Sequence, residues 1–417
     1  MENLISTRKF ESSAVNTFKL SQNPQVFVRG DGPWLFSDND EKYLDLVCGS
    51  ATSNLGHNHP AQIKAIKEAT ETGILHTGTR LISPYRAKLY DILSDYMGTT
   101  DISIHLLNSG AEAIETAIKI TRFVSRKQKF ISFEGGYHGR TLGALSLTHA
   151  EEIRSPFIGN TGDFVTFAPY PRDETEVQYC LEKCSEIFEY SKSVGDPIAG
   201  VVVEAIQGVS GVWGPFPAFL KGIQDLAQLN DALFITDEIW SGLGRSGKKF
   251  AFHFSDVAPD LIILGKGLSS SIPLSAVIAK GDLLKKWPPG AHTSTFQGNP
   301  IACAVACATL REIENSKLIE HVSNSIALCF GKLKNDLISN DFVKDVRFVG
   351  AQCAIEFNNS VTANEVQKLA LSQAKLLTYG GGRKGECVLL LPPINIDENT
   401  LQNALTSLLE IISQGLP

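Results

Sequence analysis

An α/β fold is what the sequence predicts: one mostly parallel sheet covered by helices, with a smaller α+β domain beside it. Three observations carry this. Short apolar runs alternate with amphipathic helical stretches through the middle of the chain, the signature of strand–helix–strand units. After Asn299-Pro300 the alternation stops, and a helical stretch over about 300–338 leads into a shorter mixed segment closed by a helix at 398–414. The 417 residues exceed what one compact core usually serves, so two or three units are expected.

Taken in order, residues 25–46 alternate in short runs broken by Gly-Asp-Gly and Asp-Asn-Asp, which reads as a hairpin. Strands are expected at 103–107, 129–133, 200–204, 232–236, 261–264 and 275–279, with helices such as 110–124 and 216–230 between them. The segment after Lys248, KKFAFHF, reads as extended. The resulting division is an N-terminal segment, 1–55, that joins the small domain, a large domain over 56–299, and a C-terminal small domain over 300–417.

Composition excludes several classes. With 43% hydrophobic and 20% charged residues the chain reads as globular, and a net charge of -7 argues against a nucleic-acid partner. No run of about 18 apolar residues suggests a membrane span, and MENLISTRKFESSAVNTF has no signal-peptide core, so the cytoplasm is the expected compartment. The eight cysteines form no C-x-x-C; Cys180/Cys184 and Cys303/Cys307 are spaced as buried residues on helix faces. His57-Asn58-His59 has no companion cluster, so no metal is expected.

In open α/β sheets ligands sit beyond the carboxyl ends of the strands, so the polar residues there matter most. After 103–107 comes Asn108-Ser109-Gly110-Ala111-Glu112. Ser109 and Glu112 have the spacing of a capping box, and the small residues at a helix N-terminus suit an anion. After 129–133 comes EGGYHGRT, where glycines bring Tyr137, an imidazole and Arg140 together. Asp237 closes the run 232–236, and an aspartate there is costly unless it meets a cation or several donors. Lys266 follows LIIL between two glycines. Desolvation makes a lysine a neutral amine that attacks carbonyls. A phosphate cradle, a ring-nitrogen partner and a nucleophilic amine together specify pyridoxal 5'-phosphate. Lys266 would hold it as a Schiff base, Asp237 would pair with its ring nitrogen, and the Ser109 turn would take its phosphate. A rival motif, Gly242 to Lys248, matches the first part of a P-loop. It is followed by Lys249 rather than Ser or Thr, and no clear helix opens there.

These residues stand in motifs that resemble the class III, or omega-amino-acid, pyridoxal-phosphate aminotransferases, which include the acetylornithine, ornithine and 4-aminobutyrate aminotransferases. The motifs are GHNHP (56–60), LNSGAEAIETAIK (107–119), GGYHGRT (135–141), VEAIQG (203–208), TDEIWSGLGRSG (236–247), LGKGLSS (264–270) and HTSTFQGNP (292–300). The resemblance implies the fold-type I architecture and a homodimer with active sites at the subunit interface. It also implies an amine donor and a 2-oxo acid acceptor, with 2-oxoglutarate as the default. By the same resemblance Gly110 and Ala111 hold the phosphate, Tyr137 and Ile239 pack on the two faces of the ring, and Arg140 clamps a substrate carboxylate. Thr295 reaches the neighbouring subunit's phosphate, and Ser294 lies near substrate. Lys266 acts as general base. Aminomutases, racemases and decarboxylases on the same scaffold are the alternative, since they keep Lys266 and Asp237 without an external acceptor.

Three positions depart from the family's pattern. Trp240 stands where a Gln usually helps bind the ring hydroxyl. Gln297 replaces a common glycine. Leu389 occupies the place of an arginine that pairs with the glutamate matching Glu204, and Arg383 is near in sequence but not aligned. A Glu204 lacking that arginine is expected to meet a second amino or hydroxyl group of the donor, as in a diamino acid, a diamine or an amino sugar.

Overall fold

The structure, a computed structural model, describes residues 2–15, 17–21, 24–157, 159 and 161–414. It divides into two compact units, residues 1–59 with 321–417 and residues 60–320.

The smaller unit opens with a helix, Glu2–Phe10, followed by strands β1 (Phe27–Asp31), β2 (Trp34–Ser37) and β3 (Lys42–Asp45), which pair antiparallel in the region read as a hairpin. The larger unit holds β4 (Ile102–Leu107), β5 (Lys129–Phe133), β6 (Val165–Ala168), β7 (Ile198–Val203), β8 (Leu233–Asp237), β9 (Leu261–Leu264) and β10 (Ser275–Lys280). They form one sheet in the order β4-β10-β9-β8-β7-β5-β6. β10 runs antiparallel to both neighbours and the other pairs are parallel. Strands β7 and β9 are buried along their whole length, which is why they read as unbroken apolar runs. β6 was not expected; its Thr166 is exposed and its pattern short. Helices Gly110–Ser125 and Pro217–Leu229 cover the sheet within a residue or two of their predicted ends. The core beneath the first of these joins Ile114 and Ile118 to Phe130, Val202, Ile235 and Ile263.

The smaller unit continues with β11 (Val343–Val349), β12 (Gln352–Phe357), β13 (Leu376–Leu377), β14 (Tyr379–Gly381) and β15 (Cys387–Leu390). β13 extends the first sheet beside β3, and the others form a second sheet in the order β11-β12-β15-β14. Helix Glu398–Ser413 ends the described chain.

Two boundaries differ from the sequence reading. The stretch from 300 is helical as expected, broken after Asn315, but its first helix, Pro300–Asn315, belongs to the larger unit, where Ala304 packs with Ala65 and Ala69. Residues 56–59 fall in the smaller unit, where Gly32 and His57 exchange two backbone hydrogen bonds of 2.9 and 2.7 Å. KKFAFHF is not extended either, since Ala251–Phe254 forms a tight turn of 3-10 helix. The cause is Glu238, whose buried carboxylate accepts the N–H groups of Ala251 and Phe252 at 2.9 and 2.8 Å.

All eight cysteines are buried and free. Among the described residues no helix is long and apolar enough to cross a membrane, and no cluster of His, Cys, Asp and Glu is arranged to hold a metal. His57 instead meets the buried Asp45 carboxylate at 2.9 Å.

Candidate active site

The topology gathers the strand ends. β9, β8, β7 and β5 are neighbours and parallel, so Lys266, Asp237, Glu204 and the Tyr137-His138 turn all leave the sheet at one edge. β4 is antiparallel to β10, which is antiparallel to β9, so the Ser109 turn emerges at that edge too. Ser275, at the start of β10, donates its hydroxyl proton to the Ser109 carbonyl at 2.7 Å.

Asp237 is buried, and the structure supplies the partner that such a carboxylate requires. His138 Nδ1 lies 2.7 Å from Asp237 Oδ2, with the imidazole almost wholly enclosed. Burial alone would depress the imidazole, but the hydrogen bond and charge of Asp237, with the charge of Glu204, raise it above its ordinary value. The other carboxylate oxygen accepts the Ile239 N–H at 3.0 Å. Asp237 is thus fixed through both of its oxygens. The sequence showed the imidazole beside Tyr137 but not its job; the signal was the unpartnered aspartate itself.

Lys266 begins a short helical turn at φ 38°, a strained backbone for a non-glycine residue. Its side chain keeps some solvent access. The amine itself is desolvated, which lowers its pKa to about 7 against the opposing charges of Asp237 and Glu204. Its Nζ stands 3.7 Å from the centre of the Trp240 ring. Trp240 lies close to Gly208: a Cβ there would run into the indole Cδ1 and Nε1. The turn beyond Lys266 is tied by its serines, with Ser269 bonded to Ile272 and Ser271 to Gln62 at 3.2 Å.

Glu204 is buried, and its Oε1 accepts the Tyr137 N–H at 2.9 Å. Burial pushes its carboxyl up to about 7, against the opposing pull of His138 and of the N–H groups of Tyr137 and Gly208. The Tyr137 hydroxyl accepts from exposed Arg140 Nε at 3.1 Å. Leu389 is buried in β15, in register with Ala354 and Tyr379.

Ser109 caps helix Gly110–Ser125 with the full capping box expected. Its hydroxyl accepts from Glu112 N–H, and Glu112 accepts from the Ser109 N–H. Helix geometry leaves the N–H groups of Gly110 and Ala111 pointing outward for an anion. Ile239 closes this corner, because a Cβ on Gly110 would sit 2.8 Å from its Cδ1. Ser294 joins the helix start, accepting from Asn108 Nδ2 at 2.7 Å. Gln297 folds back onto the Ser294 N–H at 2.6 Å. Thr295 is exposed on the same segment, and no hydrogen bond ties it to its own chain's site among the described residues. Asn108, like His138, is a site neighbour that the sequence did not single out.

A nucleophilic amine, a fixed buried aspartate and an anion cradle define a site for an aldehyde cofactor with a basic ring nitrogen and a phosphate. The residues present fit pyridoxal 5'-phosphate on these observations alone. Comparison with known proteins agrees. The family model for class-III aminotransferases matches residues 18–412. The acetylornithine aminotransferase of Methanopyrus kandleri is 34% identical over 400 residues, covering 95% of this chain and 96% of that protein. The one from Archaeoglobus fulgidus is 33% identical, covering 92% and 94%. Among solved structures, an ornithine aminotransferase from Toxoplasma gondii, with partial occupancy of the cofactor at its active site, superposes with a TM-score of 0.88 at 27% identity. That match covers 99% of this chain and 94% of the other. The acetylornithine aminotransferase of Elizabethkingia anophelis gives 0.82 at 29%, covering 99% and 98%.

The chain belongs to the class III aminotransferases. It is a fold-type I, pyridoxal-phosphate-dependent aminotransferase. The aminomutase, racemase and decarboxylase alternative is not favoured by these relatives.

Proposed function

We propose that this aminotransferase takes the amino group of a small polar donor, a diamino acid before a diamine or an amino sugar, and passes it to 2-oxoglutarate. In this reading it works in the cytoplasm as a homodimer whose two sites are shared. The observation that carries the donor is Glu204, a buried carboxylate next to the Tyr137 turn, in a chain where Leu389 replaces the family's arginine. The names of the curated relatives point the same way.

Bound pyridoxal phosphate supplies an aldehyde and an electron-accepting ring. Lys266, whose desolvated amine is lowered to about 7, would hold the group and, once free, move a proton at the donor's alpha carbon. Asp237, held by His138, would pair with the ring nitrogen. Gly110 and Ala111 hold the phosphate through their N–H groups, with Ser109 fixing the turn. Tyr137 and Ile239 would hold the ring between them. Arg140 takes a substrate carboxylate and Ser294 lines the entrance. Thr295 of one copy reaches the phosphate in the other, which accords with its exposure here. Glu204 meets the donor's second amino or hydroxyl group.

An absorbance titration tests the reading. The purified yellow protein is mixed with single amines and no acceptor; diamino acids are expected to bleach it, and 2-oxoglutarate to restore the colour. Glu204→Ala is expected to lose the polar donors and keep apolar ones. Equal losses on both would remove Glu204 from donor recognition, and a colour untouched by any diamino acid would remove the donor class.

A further inference from the structure

The segment that carries Ser294 and Thr295 has no regular structure of its own, so something outside it must fix its height. We propose that His292 is a positioning residue for cofactor retention, pinning this segment to helix Gly110–Ser125 and thereby presenting Thr295. The inference rests on the reading of Thr295 as a ligand for the partner's phosphate.

The geometry specifies one form of the imidazole. Thr116 donates its hydroxyl proton to the Glu112 carbonyl at 2.8 Å, so its oxygen must accept from His292 Nε2–H at 2.9 Å. That leaves the Nδ1 lone pair to accept from the Lys119 ammonium, 2.7 Å away. Only the neutral tautomer satisfies both partners. Trp287 and His105 pack around the ring, at 5.3 and 5.6 Å between centroids. A second stitch lies a turn away, where Ser294 Oγ accepts from Asn108 and approaches Glu112 Oε1 at 3.4 Å. The segment is therefore fastened at two levels of the helix, and Thr295 projects just beyond the second.

Protonation of His292 would turn its Nδ1 acceptor into a donor facing the Lys119 ammonium. The charged and titratable groups around it are Lys119, Glu112 and Glu115 from the helix and His105 from β4. Burial first, and then Lys119, hold the imidazole below its ordinary value, while the two glutamates oppose them. An imidazole held below its ordinary value takes a proton in the folded chain only once pH has fallen below about 6.5, and the two hydrogen bonds are then lost together. Retention of the cofactor is then intact at neutral pH and weakens on acidification.

The test is pyridoxal phosphate affinity of the full-length protein, measured by equilibrium dialysis at neutral pH and near pH 5.5. His292→Phe is expected to weaken binding at neutral pH roughly tenfold, the size of two lost hydrogen bonds. His292→Gln, which can still donate and accept, is expected to bind nearly as the parent does at neutral pH and to weaken less than the parent on acidification, the remaining pH dependence coming from Lys266 and Glu204. Lys119→Met, which removes only the exposed partner, is expected to weaken binding less than His292→Phe and tests the network should the Phe variant not fold. In a Thr295→Ala background, His292→Phe is expected to add nothing. Unchanged affinity in both His292→Phe and Lys119→Met, while Thr295→Ala weakens binding, would overturn the role of His292 alone. A Thr295→Ala protein that binds normally would instead overturn the phosphate reading on which that role depends.

Discussion

Replacing Glu204 by glutamine changes one charge and little else, which makes its effect on stability calculable. The carboxyl sits at about 7 in the folded chain against an ordinary 4.5. A folded-state pKa raised above the unfolded value means that the contribution is complete below about 4.5 and is lost as pH rises to about 7. Across that window the buried charge costs about 3 kcal/mol, at about 1.4 kcal/mol per pKa unit. The amide oxygen of Glu204→Gln can still accept the Tyr137 N–H. The cofactor-free variant is therefore expected to match the parent near pH 4.5 and to exceed it by up to about 3 kcal/mol at pH 8. Urea unfolding of both proteins at the two pH values measures this. The charge of Glu204 also raises His138 and Lys266, so the difference reads Glu204 together with its effect on these two neighbours. A gain of the same size at both pH values would mean that it does not come from the charge, and a variant less stable at pH 8 would mean that the charge has a stabilising partner; either refutes the reasoning.

Three further outcomes follow from the geometry. In cofactor-free protein, the pH profile of Lys266 acylation is expected to have its midpoint near 7, the value set by desolvation, and peptide mapping of a Lys266→Ala control identifies the site; a midpoint in the ordinary lysine range would place the amine in water. Gly208→Ala is expected to cost about 1–3 kcal/mol because the new methyl meets the Trp240 indole, and Trp240→Leu in the same protein to recover part of it, as read by thermal unfolding. Ser109→Ala removes one half of the capping box and is expected to cost about 1 kcal/mol, with weaker phosphate binding in a direct titration.

What could be read from the sequence follows the range of the interactions. The Ser109–Glu112 box spans three residues and was visible as a pattern. So were LIIL before Lys266 and the small-residue turn at Gly110, since each is a local arrangement. The His138–Asp237 pair joins residues 99 apart in the chain, and it exists because β7 alone lies between the strands that precede them. Composition could demand a partner for Asp237 but could not choose one. The same limit explains KKFAFHF. Its alternation is genuine, yet Glu238, thirteen residues before Ala251, takes its N–H groups and bends it. β6 failed for a different reason: at the sheet's edge, only one side of a short strand needs to be apolar.

The indole that faces Lys266 also makes the enzyme report on itself. The chain has four tryptophans, and the ring of Trp240 meets the Lys266 amine. Pyridoxal phosphate absorbs where an indole emits, so its binding beside Lys266 is expected to quench Trp240. Loading of the site can then be followed by fluorescence in unlabelled protein, with Trp240→Phe identifying the share of the quenching that this indole carries.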